Sequence, residues 1–342
     1  MNIKYFTCAH SCRGFVNLTE NNIENIGKKF IISCSSRDAA ANFIRRVGEY
    51  FENKKYTVEY ILNPSDKNSF CGCIVRMLDF FAGDKRYCRD IDGITIDLGT
   101  DKSLLPLESK IKGCYENMYK TYGEAKEIHD VWEKVYIGNM DFDRLDKFKK
   151  ETINKMFAEK RKSGQPKSFE RFFGGSTRNG YVNLINELTK DIGRRYFIKG
   201  RPGTGKSTFM KEVAKTAKER GFDTEIYRCS FDSESLDMVI AREAGFCVFD
   251  STAPHEMFPA SDRDTILDFY RESGLEGVDE KHKKELERIS KEYKLRINEG
   301  SEYLRLATIL EKELETKAKD YINYTASENM LKTLIAEINK GL

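Results

Sequence analysis

No apolar run in this sequence approaches the ~18 residues that a membrane-spanning helix needs, so no membrane association is expected. An excess of charge of one sign is missing too. The 58 Lys and Arg residues stand against 55 Asp and Glu, a net charge of +3, so the surface offers no general field for a polyanion. Nucleic acid is therefore not an expected partner. The opening residues Met1-Asn2-Ile3-Lys4-Tyr5-Phe6 lack the layout of a secretory signal. Nine cysteines are an odd count on a long chain rich in Lys and Glu, which points to reduced thiols rather than a disulfide framework. Together these absences lead to an expectation of a cytoplasmic protein. Its 342 residues suffice for two domains with separate cores.

What is present is a phosphate-loop pattern. Gly200-Arg201-Pro202-Gly203-Thr204-Gly205-Lys206-Ser207 matches G-x-x-x-x-G-K-[ST] at every fixed position, and Thr208 follows. The apolar run Tyr196-Phe197-Ile198 reads as a buried strand before it, and Phe209, Met210, Val213, Ala214 and Ala217 have helical spacing after it. Strand, glycine loop and helix together form the context in which backbone amides and a helix N-terminus face an anion. Glycine is required where the backbone must approach phosphate closely. Gly200, Pro202, Gly203, Thr204, Gly205, Lys206, Ser207 and Thr208 are thus the expected ATP-binding residues. Lys206 would reach the phosphates, and Ser207 would ligate Mg²⁺.

The sequence also repeats itself at an offset of about 166 residues. The register holds from Tyr5-Phe6 against Arg171-Phe172 to Asp84 against Asp250, through Val16-Asn17-Leu18 against Val182-Asn183-Leu184, and through Glu59/Glu225 and Arg76/Arg242. Two copies of one α/β domain are expected, residues 1–165 and 166–342, each with a mostly parallel sheet, flanking helices and a helical extension. The copies could form an intramolecular pseudo-dimer. Opposite the phosphate loop the first copy carries Cys34-Ser35-Ser36-Arg37-Asp38-Ala39-Ala40-Ala41, without the glycine, lysine and hydroxyl. Each lost charge-assisted contact costs about 1.5–3 kcal/mol, so only the second copy should hold nucleotide.

Within each copy we expect strands at 30–32 and 57–62, matched by 196–198 and 224–229, with helices at 38–53 and 206–220. Short helices are expected near 70–77 and 236–241. Residues 105–135, 142–162 and 280–338 read as long helices, the last with its spacing broken near Asn298-Glu299-Gly300. That final segment is expected to pack as a hairpin on its own domain.

Asp250 closes the buried run Phe246-Cys247-Val248-Phe249 and is the second expected Mg²⁺ ligand. Ser251 follows where a glutamate would supply a hydrolytic base, so the base must come from elsewhere. Asp232 and Asp237, past the second strand, are candidates to orient or deprotonate an acceptor. His255 and Glu256 lie on a loop that could approach the terminal phosphate. Arg76 and Arg242 are candidates to stabilise transferred phosphate charge but read first as ordinary surface ion pairs, and Arg178 as a lid or adenine-side contact. Cys8, Cys12, Cys71 and Cys73 fit no standard zinc spacing.

Residues 196–208, Ser235-Leu236-Asp237 and 250–255 resemble a bacterial family of tandem ATP-binding proteins, labelled as ATPases or nucleotide kinases. The resemblance covers nearly the whole chain. It implies a P-loop NTPase fold in both halves and ATP at residues 200–208. It names no acceptor or protein partner. Family members usually keep an intact first loop, from which this chain departs. The expected activity is ATP hydrolysis, with Lys206, Asp250 and Asp232 as catalytic residues. Phosphoryl transfer to a small molecule or nucleotide, or a non-catalytic nucleotide switch, are the alternatives.

Overall fold

Apolar runs without alternation bury both faces of a strand, and such runs end up in the middle of sheets. Here Phe80-Phe81-Ala82 and Phe246-Cys247-Val248-Phe249 are buried throughout, and each lies centrally in a sheet of six strands. The computed structural model describes residues 2–339. Its first half runs β1 (Ile3–Tyr5), β2 (Cys8–Ser11), β3 (Gly14–Asn17), α1 (Thr19–Ile23), β4 (Lys28–Ser33), α2 (Arg37–Asn53), β5 (Glu59–Asn63), β6 (Asp66–Val75), β7 (Phe80–Asp84), β8 (Ile94–Asp97), α3 (Leu105–Ile137) and α4 (Phe142–Phe157). The second half runs β9 (Ser168–Arg171), β10 (Gly174–Thr177), β11 (Gly180–Asn183), α5 (Ile185–Thr189), β12 (Arg194–Lys199), α6 (Lys206–Glu219), β13 (Thr224–Arg228), β14 (Leu236–Ala241), β15 (Phe246–Asp250) and β16 (Asp264–Asp268). It ends with α7 (Phe269–Glu272), α8 (Val278–Lys281), α9 (Lys283–Ala318) and α10 (Tyr324–Asn339).

The protein is α/β, with two mixed, mostly parallel six-stranded sheets. Their orders are β1-β5-β6-β7-β4-β8 and β9-β13-β14-β15-β12-β16, the same path element for element. In each sheet only the third strand, β6 or β14, runs antiparallel to its neighbours. These strands replace the short helices expected near 70–77 and 236–241. Leu236 to Ala241 are all buried, and a run buried on every side carries no periodicity to tell strand from helix. The tight turn closed by Cys229 N–H to Ser235 O and Ser235 N–H to Asp232 O folds β14 back on β13. No helix among the described residues is long and apolar enough to cross a membrane.

The halves meet along contacts that pair up under the same offset. Phe6 and Phe172 form an antiparallel bridge, with N–H to O distances of 3.0 and 2.8 Å. Cys12 N–H donates to Phe231 O at 2.8 Å, and its counterpart Arg178 N–H donates to Ser65 O at 3.0 Å. One continuous core joins both halves, with Tyr5, Phe6 and Phe81 on one side and Phe172, Phe173 and Phe249 on the other. At its centre the Arg171 guanidinium, 3% exposed, binds Glu59 Oε2 at 3.0 Å and Glu225 Oε2 at 3.2 Å. It lies 3.9 Å over the ring of Tyr5, its own counterpart. Arg76 and Arg242 pair with the same two glutamates, as ion pairs read from sequence should. Burial pushes both carboxyls up, but Arg171 with Arg76 or Arg242 outweighs it and holds them below the usual range.

The helical extensions do not stay on their own halves. A helix of 33 residues reaches about 50 Å, enough for α3 to carry the chain across to the second sheet. There Leu145, Ile153, Met156 and Phe157 of α4 join the core formed by Phe209, Met210, Val213 and Phe246. In return Leu331, Leu334 and Ile338 of α10 complete the core around α2 of the first half, and Arg46 pairs with Glu328. Between them α3 and α9 pack lengthwise, Ile111 near Ala307 and Leu314, Tyr136 near Leu286. The expected hairpin on the second domain is therefore corrected, because an apolar stripe shows that a face is buried but not against what. Helix α9 also runs unbroken through Gly300. A Cβ there would lie 2.4 Å from the ring of Tyr122, so the glycine serves close packing rather than a break.

Candidate nucleotide site

β12 is buried along most of its length and delivers the loop from the C-terminal end of the sheet. Gly203 and Gly205 sit at φ +77° and +78°, left-handed conformations that side chains disfavour. α6 begins at Lys206 with Gly205 at its N-cap and no side-chain cap, so the first-turn amides keep their donors for another acceptor. The buried Thr204 hydroxyl donates to Arg201 O at 2.8 Å and ties the loop together. Lys206 Nζ donates to the same carbonyl at 2.9 Å and lies 3.6 Å from Asp250 Oδ2. Ser207 Oγ accepts from Leu236 N–H at 2.9 Å, which leaves its second lone pair free.

Asp250 ends β15, the strand hydrogen-bonded to β12, where its register partner is Ile198. Asp250 is thereby placed beside the start of α6, with Lys206 Nζ 3.6 Å from its Oδ2. Two further side chains complete the buried group. Asp237 enters from β14, and His255 enters from the loop after β15. The three acid and imidazole groups of Asp237, Asp250 and His255 present ligand atoms within 4.8 Å of one another. Burial, with Asp250 beside it, pushes the Asp237 carboxyl up to about 6 against the opposing pull of His255. Glu256 does not join them; it accepts from Lys199 Nζ at 3.1 Å.

No family model matches the chain, and comparison with curated proteins and with solved structures returns no match. The geometry alone must carry the assignment.

Asp232, expected to orient an acceptor, is tied down elsewhere. It accepts from Arg13 Nε at 2.9 Å and lies 3.5 Å from Lys126 Nζ. Burial pushes its carboxyl up, but Arg13 and Lys126 bring it below the usual range. Its oxygens are engaged by cations from the first half of the chain, so the acidic candidate that faces the site is Asp237. Arg178 likewise turns away from the loop, to Asp66 of the first half.

Sequence reasoning missed the roof of the site. α3 lies against the loop so closely that a Cβ on Gly203 would stand 2.9 Å from Glu133 O. Lys126, His129, Asp130 and Glu133 sit along this part of α3, with His129 Nδ1 3.7 Å from Glu133 Oε1. Burial raises the Glu133 carboxyl, against the pull of Lys126 and Lys206. Burial and Lys126 lower His129 to about 4. The signal was a polar i, i+3, i+4, i+7 face on an otherwise amphipathic helix.

In the first half the start of α2 is met by side chains of α9 and α3. Ser36 caps α2, and its hydroxyl donates to Glu315 of α9. Arg37 N–H donates to Glu315 Oε2 at 2.9 Å, and Arg37 Nη1 donates to Glu311 Oε1 at 2.9 Å. Tyr115 Oη donates to Glu311 Oε1 at 2.8 Å. Two internal carboxylates thus sit at the start of α2, which corresponds in the sequence offset to the start of α6. Asp84, the counterpart of Asp250, is bound by Arg86 Nη2 at 2.6 Å and Nε at 3.1 Å.

Proposed function

We propose that this chain binds ATP with Mg²⁺ at Gly200, Pro202, Gly203, Thr204, Gly205, Lys206, Ser207 and Thr208 and hydrolyses it. The observation that carries this reading is a single constellation. Two left-handed glycines deliver Lys206 and Ser207 to an uncapped helix start, beside the buried carboxylate of Asp250. These residues fit a magnesium nucleotide: amides and ammonium for phosphate, hydroxyl and carboxylate for the metal. When bound, the metal would neutralise charge on the phosphate oxygens. Lys206 would exchange Arg201 O for phosphate, and Ser207 would offer the lone pair that Leu236 leaves free. Glu133, facing the loop from α3, would orient water.

We also read each half as a P-loop NTPase fold and the chain as a tandem duplication closed into a pseudo-dimer. The shared strand order and the offset-related contacts support this. The first half is the non-binding partner, its anion position taken by Glu311 and Glu315. The chain would then work in the cytoplasm, as its reduced thiols and unremarkable charge suggest.

Phosphoryl transfer is the second reading, and Asp237 is the observation that favours it. A buried carboxyl raised to about 6 beside the metal position is suited to take a proton from an acceptor hydroxyl. The test measures ATP binding and phosphate release with Mg²⁺ present. One equivalent should bind per chain, and Lys206→Ala should weaken binding by about 10- to 100-fold, the value of a charge-assisted contact. Two equivalents, none, or an indifferent Lys206→Ala chain would reject the assignment. ATP consumed without phosphate release, in a panel of hydroxyl acceptors, would select the transferase.

A further inference from the structure

The buried group beside the loop contains an imidazole nitrogen with no partner. His255 is 6% exposed, and its Nδ1 lies 3.3 Å from Tyr181 Oη. Its Nε2 is buried and has no hydrogen-bond partner among the described residues. The nearest acid oxygen, Asp250 Oδ1, is 3.9 Å away, beyond hydrogen-bond reach. That oxygen accepts from Thr252 N–H at 3.0 Å and Thr252 Oγ1 at 2.7 Å, so the carboxylate is held in place. Asp237 is 7% exposed and closes the triangle.

A bare Nε2 lone pair turned toward two carboxyl groups is repulsive, and an Nε2–H there would lack an acceptor. A cation among the three removes both difficulties. The surroundings match what metal-bound histidines need: one ring nitrogen engaged by a neighbour, here Tyr181, fixes the ring so that the other faces the ion. We propose that Asp237, Asp250 and His255 form a protein-borne site for a first-row divalent transition metal, of the Mn²⁺ to Zn²⁺ class. Two carboxylates with one imidazole suit these ions, whereas Mg²⁺ takes oxygen ligands and keeps its water. The site shares Asp250 with the magnesium position proposed above but needs no nucleotide, so the two are separable. It differs from the other mixed cluster, His129, Asp130 and Glu133, in being buried throughout, with Lys206 standing off at 3.6 Å from the other oxygen of Asp250 while Lys126 binds Asp130 directly.

The test uses the full chain, stripped with chelator and free of nucleotide. Mn²⁺ is titrated and followed by electron paramagnetic resonance, with metal content measured after dialysis. One Mn²⁺ should bind per chain, with ¹⁴N coupling from one imidazole in the pulsed spectrum, and Mg²⁺ should displace it only at a large excess. His255→Gln and Asp237→Asn should each weaken binding at least about tenfold, while His129→Gln should not. Absence of binding to the wild-type chain would overturn the proposal. So would bound Mn²⁺ without nitrogen coupling, a readout that survives if a variant fails to fold. Binding lost in His129→Gln and kept in His255→Gln would place the ion on α3 instead. Mn²⁺ bound without any ATP affinity would reject the nucleotide reading and leave this one standing; ATP bound with no Mn²⁺ on the free chain would do the reverse.

Discussion

Gly203 shows how much one residue can be asked to do. Its φ of +77° is a strain for any side chain, and a Cβ would also press on Glu133 O at 2.9 Å. Gly245 has φ +80° but open space around it, so it isolates the first effect from the second. Gly245→Ala should cost about 1–2 kcal/mol from backbone strain alone. Gly203→Ala should cost more and should also weaken ATP binding, because the loop must shift away from α3. Thermal melts of both variants check this; equal losses would mean that α3 does not constrain the loop. The lysine, the hydroxyl and the glycines of this loop were legible in sequence because their job is local. Each acts within a few bonds of its neighbours. Asp237 and His255 were readable only as candidates, since their meeting depends on strand order.

At the scale of elements, the informative failures were β6 and β14, read as helices, and α9, read as interrupted. The errors have separate causes: burial on all sides erases periodicity, and a glycine in a helix signals a break only when nothing packs on it. Gly300 tests the second point. Replacement by alanine gains about 1 kcal/mol of helix propensity yet forces the buried Tyr122 ring aside, at about 1–3 kcal/mol. Gly300→Ala should therefore be destabilising in the wild type and stabilising in a Tyr122→Ala background, where the atoms that a Cβ would meet are gone. A double-mutant cycle in denaturant checks the change of sign.

The start of α2 gives a second element-level test. Glu315→Ala removes the acceptor of Ser36 Oγ and Arg37 N–H, which should cost about 1–3 kcal/mol. ATP stoichiometry should nevertheless stay at one, because Ala39, Ala40 and Ala41 restore neither the ammonium nor the hydroxyl. A second equivalent in calorimetry would show that the carboxylate plug, not the lost residues, closes that half.

Across the whole molecule, the halves are joined at a buried charge cluster in which Arg171 of the second half reaches Glu59 of the first. Arg171 serves Glu59 and Glu225 together, and its counterpart is Tyr5. Two arginines on this axis would repel, and two tyrosines would leave each half with only its own pair, Glu59 with Arg76 and Glu225 with Arg242. Arg171→Leu leaves each buried carboxylate with one arginine in place of two, Arg76 on Glu59 and Arg242 on Glu225, and should cost less than the about 3–5 kcal/mol of a fully stranded charge near neutral pH. The folded-state pKa values of both glutamates are depressed, so their contribution is present above the unfolded value of about 4.3 and fades as pH falls through the folded value. In Arg171→Leu the remaining arginines depress the carboxyls less, so the variant loses less as pH falls and its gap to wild type should narrow below about pH 4. Denaturant midpoints at several pH values check it; a gap independent of pH would reject the charge argument.

Sequence by itself determined the glycine-rich loop pattern, the register between the halves and the missing glycine, lysine and hydroxyl at the matching positions of the first half, because each is a matter of residue type at a fixed chain distance. It also marked which helix faces are apolar. Only the tertiary structure decided that α4 and α10 trade sheets, that α3 roofs the second loop, and that Glu315 meets the start of α2 in the first half. Those outcomes depend on which buried faces find each other in space, and an apolar stripe or a lone carboxylate carries no address for its partner.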